Sequence, residues 1–482
     1  MTENPRYDRV PRRPDRATVG AVPKTQGRDM AVLRVPNNRL RELLREAEWT
    51  GEQLARAVNR IGTESGCALS YGRASVHQWL TGAVPRKPVT HLVCSALSRR
   101  LRRPVTLDDA GFGDPQPVLP PPEFPPPEFP AALAGLASAA VAPDRHGSLL
   151  PYQPSPVGGG VTVPTGPLPV LPGSLIGLPV PMGEEGPLAE PDMLELLLPV
   201  FSTIDRVHGG GRARVALAVF LATTAAHMLS APAPPVRRAG ILGATARLCY
   251  LCAFMHVDDD LNGLAGRYHH LALDLARLAG DTATQAMTLR IMATQAYELG
   301  HRRQSLRLAQ AAADCRVSSS APRLRASVLG QLALSEAAVG DRTAALRHIG
   351  RARDLLTDVT GPPPPVGDYH RASWDHQRAL VEAELGDPAR AIELLEASAA
   401  RRSRAESRSR AVVLYKLAER QLAAGRVEAA CATWHEFLDI YPMLTSRRAR
   451  AARARMPGLL LPHRRRPAAH HLVRRAVSLG PR

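Results

Sequence analysis

The sequence predicts an all-α protein: a small N-terminal helical domain, a Pro-rich linker and a C-terminal solenoid of helical hairpins. Three observations predict it. Aromatic residues make up only 4% of the chain, so the cores must be built from Ala, Leu and Val, and Ala has the highest helix propensity while strand formers are scarce. Residues 113–191 hold 21 of the 44 prolines, which marks a division between folded parts. Beyond that division one spacing of small residues recurs several times. A chain of 482 residues also suits two or three folded units rather than one.

Residues 1–35 carry Arg, Pro, Asp and Gly with almost no apolar periodicity. Such a stretch buries too little surface to offset its ordering entropy, and a disordered basic arm is expected. The domain expected over 36–112 begins with Leu40, Leu43, Leu44 and Ala47 on one helix and Leu54, Ala55, Val58 and Ile61 on a second. Thr50 is placed to cap the second. "YGRASVHQWLTG", 71–82, makes a third helix with Val76, Trp79 and Leu80 inward, and "PVTHLVCSALSRRL", 88–101, a fourth with Pro at its start.

From 113 to 191 the tandem "PPPEFPPPEF" and the Gly run 158–160 predict an extended linker. Helical repeats are expected over 192–446. Four segments align so that an Ala (293, 333, 379, 418) precedes a Gly (300, 340, 386, 425) by seven, and Ser305, Ala345, Ala391 and Ala430 follow that Gly by five. An earlier unit has Ala253, Asp260 in the Gly place, and Ala265. The turns lie 40, 40, 46 and 39 residues apart, and the 46 contains the extra loop "TGPPPPVGD". Small residues where two helices cross and Gly where the chain reverses make a helical hairpin. The spacing resembles that of the tetratricopeptide repeat, with a longer pitch. The Arg-rich, acid-free stretch 447–482 is expected as a C-terminal tail, either a second nucleic-acid patch or a solvated helix ending the solenoid, and the second is preferred because terminal repeats need a polar outer face.

The net charge of +18 comes from 59 arginines and only three lysines, a bias that a GC-rich genome also produces. Its distribution is more informative: +9 over 1–112, +14 over 401–482 and −5 between. The start has no apolar core of a signal peptide, and the run "VALAVFLATTAAHML", 215–229, is too short to span a membrane and reads as a buried helix. No membrane partner is expected. Six scattered cysteines fit reduced thiols in the cytoplasm.

No enzymatic constellation stands out, and no metal or cofactor is expected. "DDDLNG", 258–263, opens like a calcium loop, but its twelfth position is His269, so an acidic turn capping the following helix is preferred. Cys249, Cys252 and His256 share a helix face without a fourth ligand nearby, which favours core packing over zinc. "HGGGRARV", 208–215, lacks the Gly-Lys-Ser/Thr of a phosphate loop.

What remains is the third helix. In the arrangement of two helices before it and one after, a third helix enters the DNA major groove. Arg73, Ser75 and Gln78 then face base edges or phosphates, His77 lies at the margin, and Arg86 and Lys87 suit phosphate contacts. The other reading is a small helical domain whose polar face is only solvated. "WTGEQLARAVN" and "WLTGAVPRKP" resemble the helix-turn-helix of Xre/Cro-type repressors, with the loop "GTESGCALSYG" longer than that family's tight turn. Through "LARAVNR", "SVHQWLTGAVPRKP" and "VTLDDAGF", and through its architecture beyond 191, the chain resembles a group of streptomycete helix-turn-helix/TPR regulators of development and antibiotic production. That resemblance implies a cytoplasmic transcriptional repressor, not an enzyme, which binds double-stranded DNA. It also implies a peptide or protein partner on the repeats, with a homodimer as one way to couple the two. The alternative is a non-enzymatic TPR adaptor whose N-terminal domain binds protein.

Overall fold

The structure, a computed structural model, describes residues 35–64, 67–86, 89–101, 103, 105, 107, 109–112, 129–141, 152, 190–357, 359 and 361–479. All but the last residue of the arm expected over 1–35, together with Lys87 and most of the linker, lies outside them. The described residues form helices and turns, and the fold is all-α as expected.

Four helices make the N-terminal domain: α1 (Asn38–Glu46), α2 (Gly51–Glu64), α3 (Arg73–Leu80) and α4 (Val89–Leu101). Leu40, Leu54, Val58, Val76, Leu92 and Leu97 meet in its core. Asn37 closes it, since its Oδ1 caps α1 by accepting from Leu40 N while its Nδ2 donates to Ala110 O at 2.8 Å. Thr50 and Gln53 form the expected start of α2, each side chain accepting from the other's backbone N–H, at 3.3 and 2.7 Å. Caps of this kind contribute about 1 kcal/mol.

The expected extended linker is interrupted. Helix α5 (Phe129–Val141) lies within it, and Leu133, Leu136 and Ala137 are buried in the same cluster as Leu217 and Leu221. The correction has a simple cause: after Pro130 the sequence "AALAGLASAAV" is free of proline and rich in Ala and Leu, so helix propensity and an apolar face act together. Tyr152, inside the same segment, is buried as well.

Helices α6 (Glu190–His208), α7 (Arg214–Phe220) and α8 (Ala226–Ser230) follow, the last two joined through a π-helical turn at Leu221–Ala225. The 215–229 run is helical but buried on one face only: Leu217, Leu221, Ala225, Met228 and Leu229 are buried, while Val219, Thr223 and His227 are exposed. Helix α9 (Pro235–Asp258) is long and apolar enough to cross a membrane, but most of it is packed inside the protein, paired with α10 (Asn262–Ala279).

Four more hairpins stack on this pair: α11 (Thr282–Glu298) with α12 (Arg302–Asp314), α13 (Pro322–Ala338) with α14 (Arg342–Asp354), α15 (Arg371–Glu384) with α16 (Pro388–Arg401), and α17 (Ser407–Ala423) with α18 (Val427–Ile440). The repeat spacing is met closely. Ala253, Ala293, Ala333, Ala379 and Ala418, and their partners Ala265, Ser305, Ala345, Ala391 and Ala430, are all fully buried where the paired helices cross. Ser305 even donates across the crossing to Ala293 O at 2.9 Å. Gly300, Gly340, Gly386 and Gly425 turn at φ between +74° and +92°, and Asp260 takes the same left-handed place at +56°.

Residues 447–479 are not a separate tail. They fold into α19 (Arg447–Leu460) and α20 (Pro467–Ser478), and Ala452, Met456, Leu460 and Leu472 enter the same core as Trp434 and Phe437. The apolar spacing on one face overrides the arginine content of the other.

The acidic turn also does a different job from the one expected. No side chain caps α10. Instead Asp258 accepts from Gly210 N and from the Ser446 hydroxyl, both at 3.0 Å, and Asp259 pairs with Arg214 at 3.1 Å. The aspartates tie the 209–211 turn to the start of α19, at the opposite end of the array in sequence. The glycines of "HGGGRARV" serve this closure, for a Cβ on Gly210 would lie 2.5 Å from Met255 O. Gly210→Ala should therefore lower stability by about 2–3 kcal/mol in urea unfolding. Gly243→Ala, whose new Cβ meets nothing closer than 3.6 Å, should not, and equal losses would remove the closure argument.

Candidate functional site

Helix α3 is held by its neighbours on one side only. The Asn59 side chain brackets Tyr71, donating to its carbonyl at 2.8 Å and accepting from its N–H at 2.9 Å, which fixes the end of the long loop before α3. Tyr71 then packs edge-on against Trp79, ring centres 5.2 Å apart. Val76 and Trp79 are buried, Leu80 half-buried. Arg73, His77 and Gln78 are exposed, Ser75 is half-buried, and Arg86 is exposed beyond the helix. The outward face of α3 is thus polar, carries a positive charge and has no carboxylate of its own.

The domain is also in direct contact with the repeats. Glu64, the last residue of α2, is fully buried and accepts from Arg99 Nη1 and from His301 Nε2, each at 2.6 Å. His301 follows the turn glycine between α11 and α12, and its ring stacks on Tyr152 at 5.5 Å. A carboxylate from one domain, its arginine, a histidine from the array and a linker tyrosine form one joint.

Inside the array the first helices of the hairpins face a common cavity of about 290 Å³. The array curls so far that early and late hairpins meet across it. Glu298, at the end of α11, pairs with Arg448 of α19 and lies 3.6 Å from Lys416 of α17. Burial alone would raise its carboxyl, but these two cations hold it down to about 2. Asp205 of α6 lies 3.3 Å from Arg408 of α17, and here burial outweighs the cation and lifts the carboxyl to about 6. A polar rung crosses three helices, with Thr294 and Gln377 both donating to Gln331 Oε1, at 2.8 and 3.1 Å.

The candidate residues therefore fall at two places. On α3, Arg73, His77 and Gln78 are exposed and Ser75 is half-buried, Arg86 is exposed beyond it, and Lys87 lies outside the described residues. The cavity wall was not anticipated, although its register is present in the sequence. Two residues before the crossing alanines stand Ile291, Gln331, Gln377 and Lys416, and one after stand Thr294, Leu334 and Leu380, all on the wall. The unequal 46-residue spacing is a second signal, because the extra loop brings Pro364 to Tyr369 into the cavity. Cys249, Cys252 and His256 are fully buried core, His256 donating through Nδ1 to Cys252 O at 2.7 Å. Among the described residues no cluster of His, Cys, Asp or Glu is placed to hold a metal ion.

Residues 40–113 match the family described as the SP15 N-terminal domain. This covers the four-helix domain and not the repeats. No curated protein matches the chain. Among solved structures, a Rap protein complexed with competence and sporulation factor is similar over 60% of this chain and 98% of its own, at 13% identity and a TM-score of 0.36.

Proposed function

We propose that the protein is a cytoplasmic, DNA-binding transcriptional regulator, acting as a repressor, whose repeat array holds a peptide or protein partner. The observation that carries the reading is the outward face of α3: Arg73, His77 and Gln78 are exposed together on a helix anchored by Val76 and Trp79. Arg can bridge guanine and Gln adenine through paired hydrogen bonds, each worth about 1–3 kcal/mol of discrimination. Arg86, exposed just past the helix, suits phosphate, which sets register without reading sequence. The joint at Glu64 and His301 supports coupling by direct contact between array and domain, and a homodimer is not required for it.

The test is binding of full-length protein to DNA from around its own gene, against random competitor, over a range of salt. Affinity should fall steeply with salt, because each neutralised phosphate releases counterions. Arg73→Ala and Gln78→Ala should each lose about 10–100-fold of the preference for target while keeping the weaker general affinity. Arg86→Ala should weaken target and random DNA alike. Salt-independent binding, or equal losses in all three variants, would sink the reading and leave an adaptor whose N-terminal domain binds protein.

A further inference from the structure

Most cations lining the central cavity are already committed. Lys416 and Arg448 share Glu298, Arg402 is paired with Glu406 at 2.9 Å, and Arg408 faces Asp205. Arg290, on α11, is different. Its guanidinium lines the cavity with no ion pair to any described residue, and its Nε is buried without a partner. It stands close enough to Tyr250, Tyr369 and His376, from three separate elements, to act on the charge of each. Arg206, on the α6 wall, is a second lining cation with no ion pair to any described residue.

The wall opposite is made ready in the same way. Tyr369 and Gln377 are more than nine-tenths buried, yet among the described residues the Tyr369 hydroxyl and Gln377 Oε1 have no hydrogen-bond partner, and both residues line the cavity. A buried polar atom left unpaired is costly, so such atoms gathered at one cavity call for an occupant. Gly330 makes room for them. It lies within α13, where glycine is unfavourable, and a Cβ there would stand 2.5 Å from the Tyr369 hydroxyl and 2.6 Å from Gln377 Oε1. His376 beside them is kept neutral, first by burial and then by Lys416, Arg402, Arg420 and Arg290, which surround it with positive potential.

We infer that the central cavity receives the carboxylate of a short peptide, with Arg290 as its counter-ion, Tyr369 as a second donor and Gln377 Oε1 as acceptor for an adjoining N–H. A single uncompensated guanidinium beside Tyr369 and His376 matches one negative charge and two oxygens in its planar fork. The donor and acceptor next to each other suit a peptide end, where a carboxylate and an amide N–H are neighbours. The inference rests on the reading that the array holds a peptide or protein, and it is independent of what α3 binds.

The probe is a random tripeptide library in two forms, with free C-terminal carboxylate and with C-terminal amide, incubated with the full chain and recovered by mass spectrometry after rapid desalting. No DNA is present, so failure here is separable from failure of DNA binding. The free-acid form should be retained at least tenfold over the amide. Arg290→Gln should abolish that difference, and Tyr369→Phe, which removes a hydroxyl with no partner in the fold and so leaves folding intact, should reduce it about tenfold. Equal retention of the two forms, no retention of either, or an undiminished preference in both variants overturns the proposal. Inorganic phosphate forms the last arm. If it alone raises the melting temperature in an Arg290-dependent manner while no peptide is retained, the carboxylate is wrong and the site takes phosphate.

Discussion

Taking the protein from pH 7 to pH 5 should remove about 4 kcal/mol of stability through two buried histidines alone. His256 and His269 are fully buried, and both are drawn from 6.5 down to about 3. Burial is the main cause in each case, followed by Arg214 for His256 and by His270 for His269. In the unfolded chain both take up a proton near pH 6.5. The folded protein leaves them neutral, so below that pH the unfolded state binds two more protons than the folded one. Each unit of pH then costs about 1.4 kcal/mol per histidine, in a window that opens near 6.5 and closes near 3. Asp205 works in the opposite direction: its raised carboxyl contributes stability that is complete below 3.8 and lost as pH rises through about 6. It returns about 1 kcal/mol at pH 5 and leaves the sign unchanged. Against a typical stability of about 5–15 kcal/mol the net loss is large. Urea unfolding at pH 7, 6 and 5 measures it, and His269→Gln should lower the dependence by about 1.4 kcal/mol per pH unit, while His270 and His376, which burial also draws down, add to the part that remains. A midpoint that does not move with pH, or moves equally in that variant, would show that these imidazoles are not the acid-sensitive groups.

Replacing Glu64 by Leu should separate the N-terminal domain from the array, at a loss of about 3 kcal/mol. The carboxylate is wholly buried between Arg99 and His301, and removing one member of a buried ionic group leaves the others desolvated and unpaired. Both partners keep some exposure, which places the effect at the lower end of the range for such pairs. The loss belongs to the joint more than to either core, since Leu54, Val58 and Ile61 of α2 are untouched. Hydrogen exchange should therefore quicken at 299–302 and at the end of α2 while the crossings around Ala333 and Ala379 stay protected. Glu64→Gln, which keeps shape and one acceptor, should fall between the two. Unchanged exchange at 299–302 in Glu64→Leu would mean that the joint does not hold the domain.

The sequence by itself determined the elements and their pairing. The N-terminal helices follow from apolar spacing at Leu40 to Ile61 and from the Thr50 cap, and the hairpins from small residues seven before and five after each turn. These are local signals: period, caps and backbone freedom act within one or two turns of helix. For the same reason the outward set Arg73, His77 and Gln78 was legible once Val76 and Trp79 were assigned to the core. Only the tertiary structure decided the rest. Helix α5 was hidden because its surroundings are proline-rich while its stability depends on Leu217 and Leu221, far along the chain. Asp258 looked like a helix cap because its partners, Gly210 and Ser446, lie 48 and 188 residues away. Glu64 carries no local sign of its role, because His301, with which it pairs, lies 237 residues on. The cavity joins Arg290 to Tyr369 and His376 only because the hairpins stack with a curvature that the sum of inter-helix packings sets and no single repeat encodes. Whether a buried charge is paired or left waiting for a ligand depends on what lies across that space, and the chain order does not contain that distance.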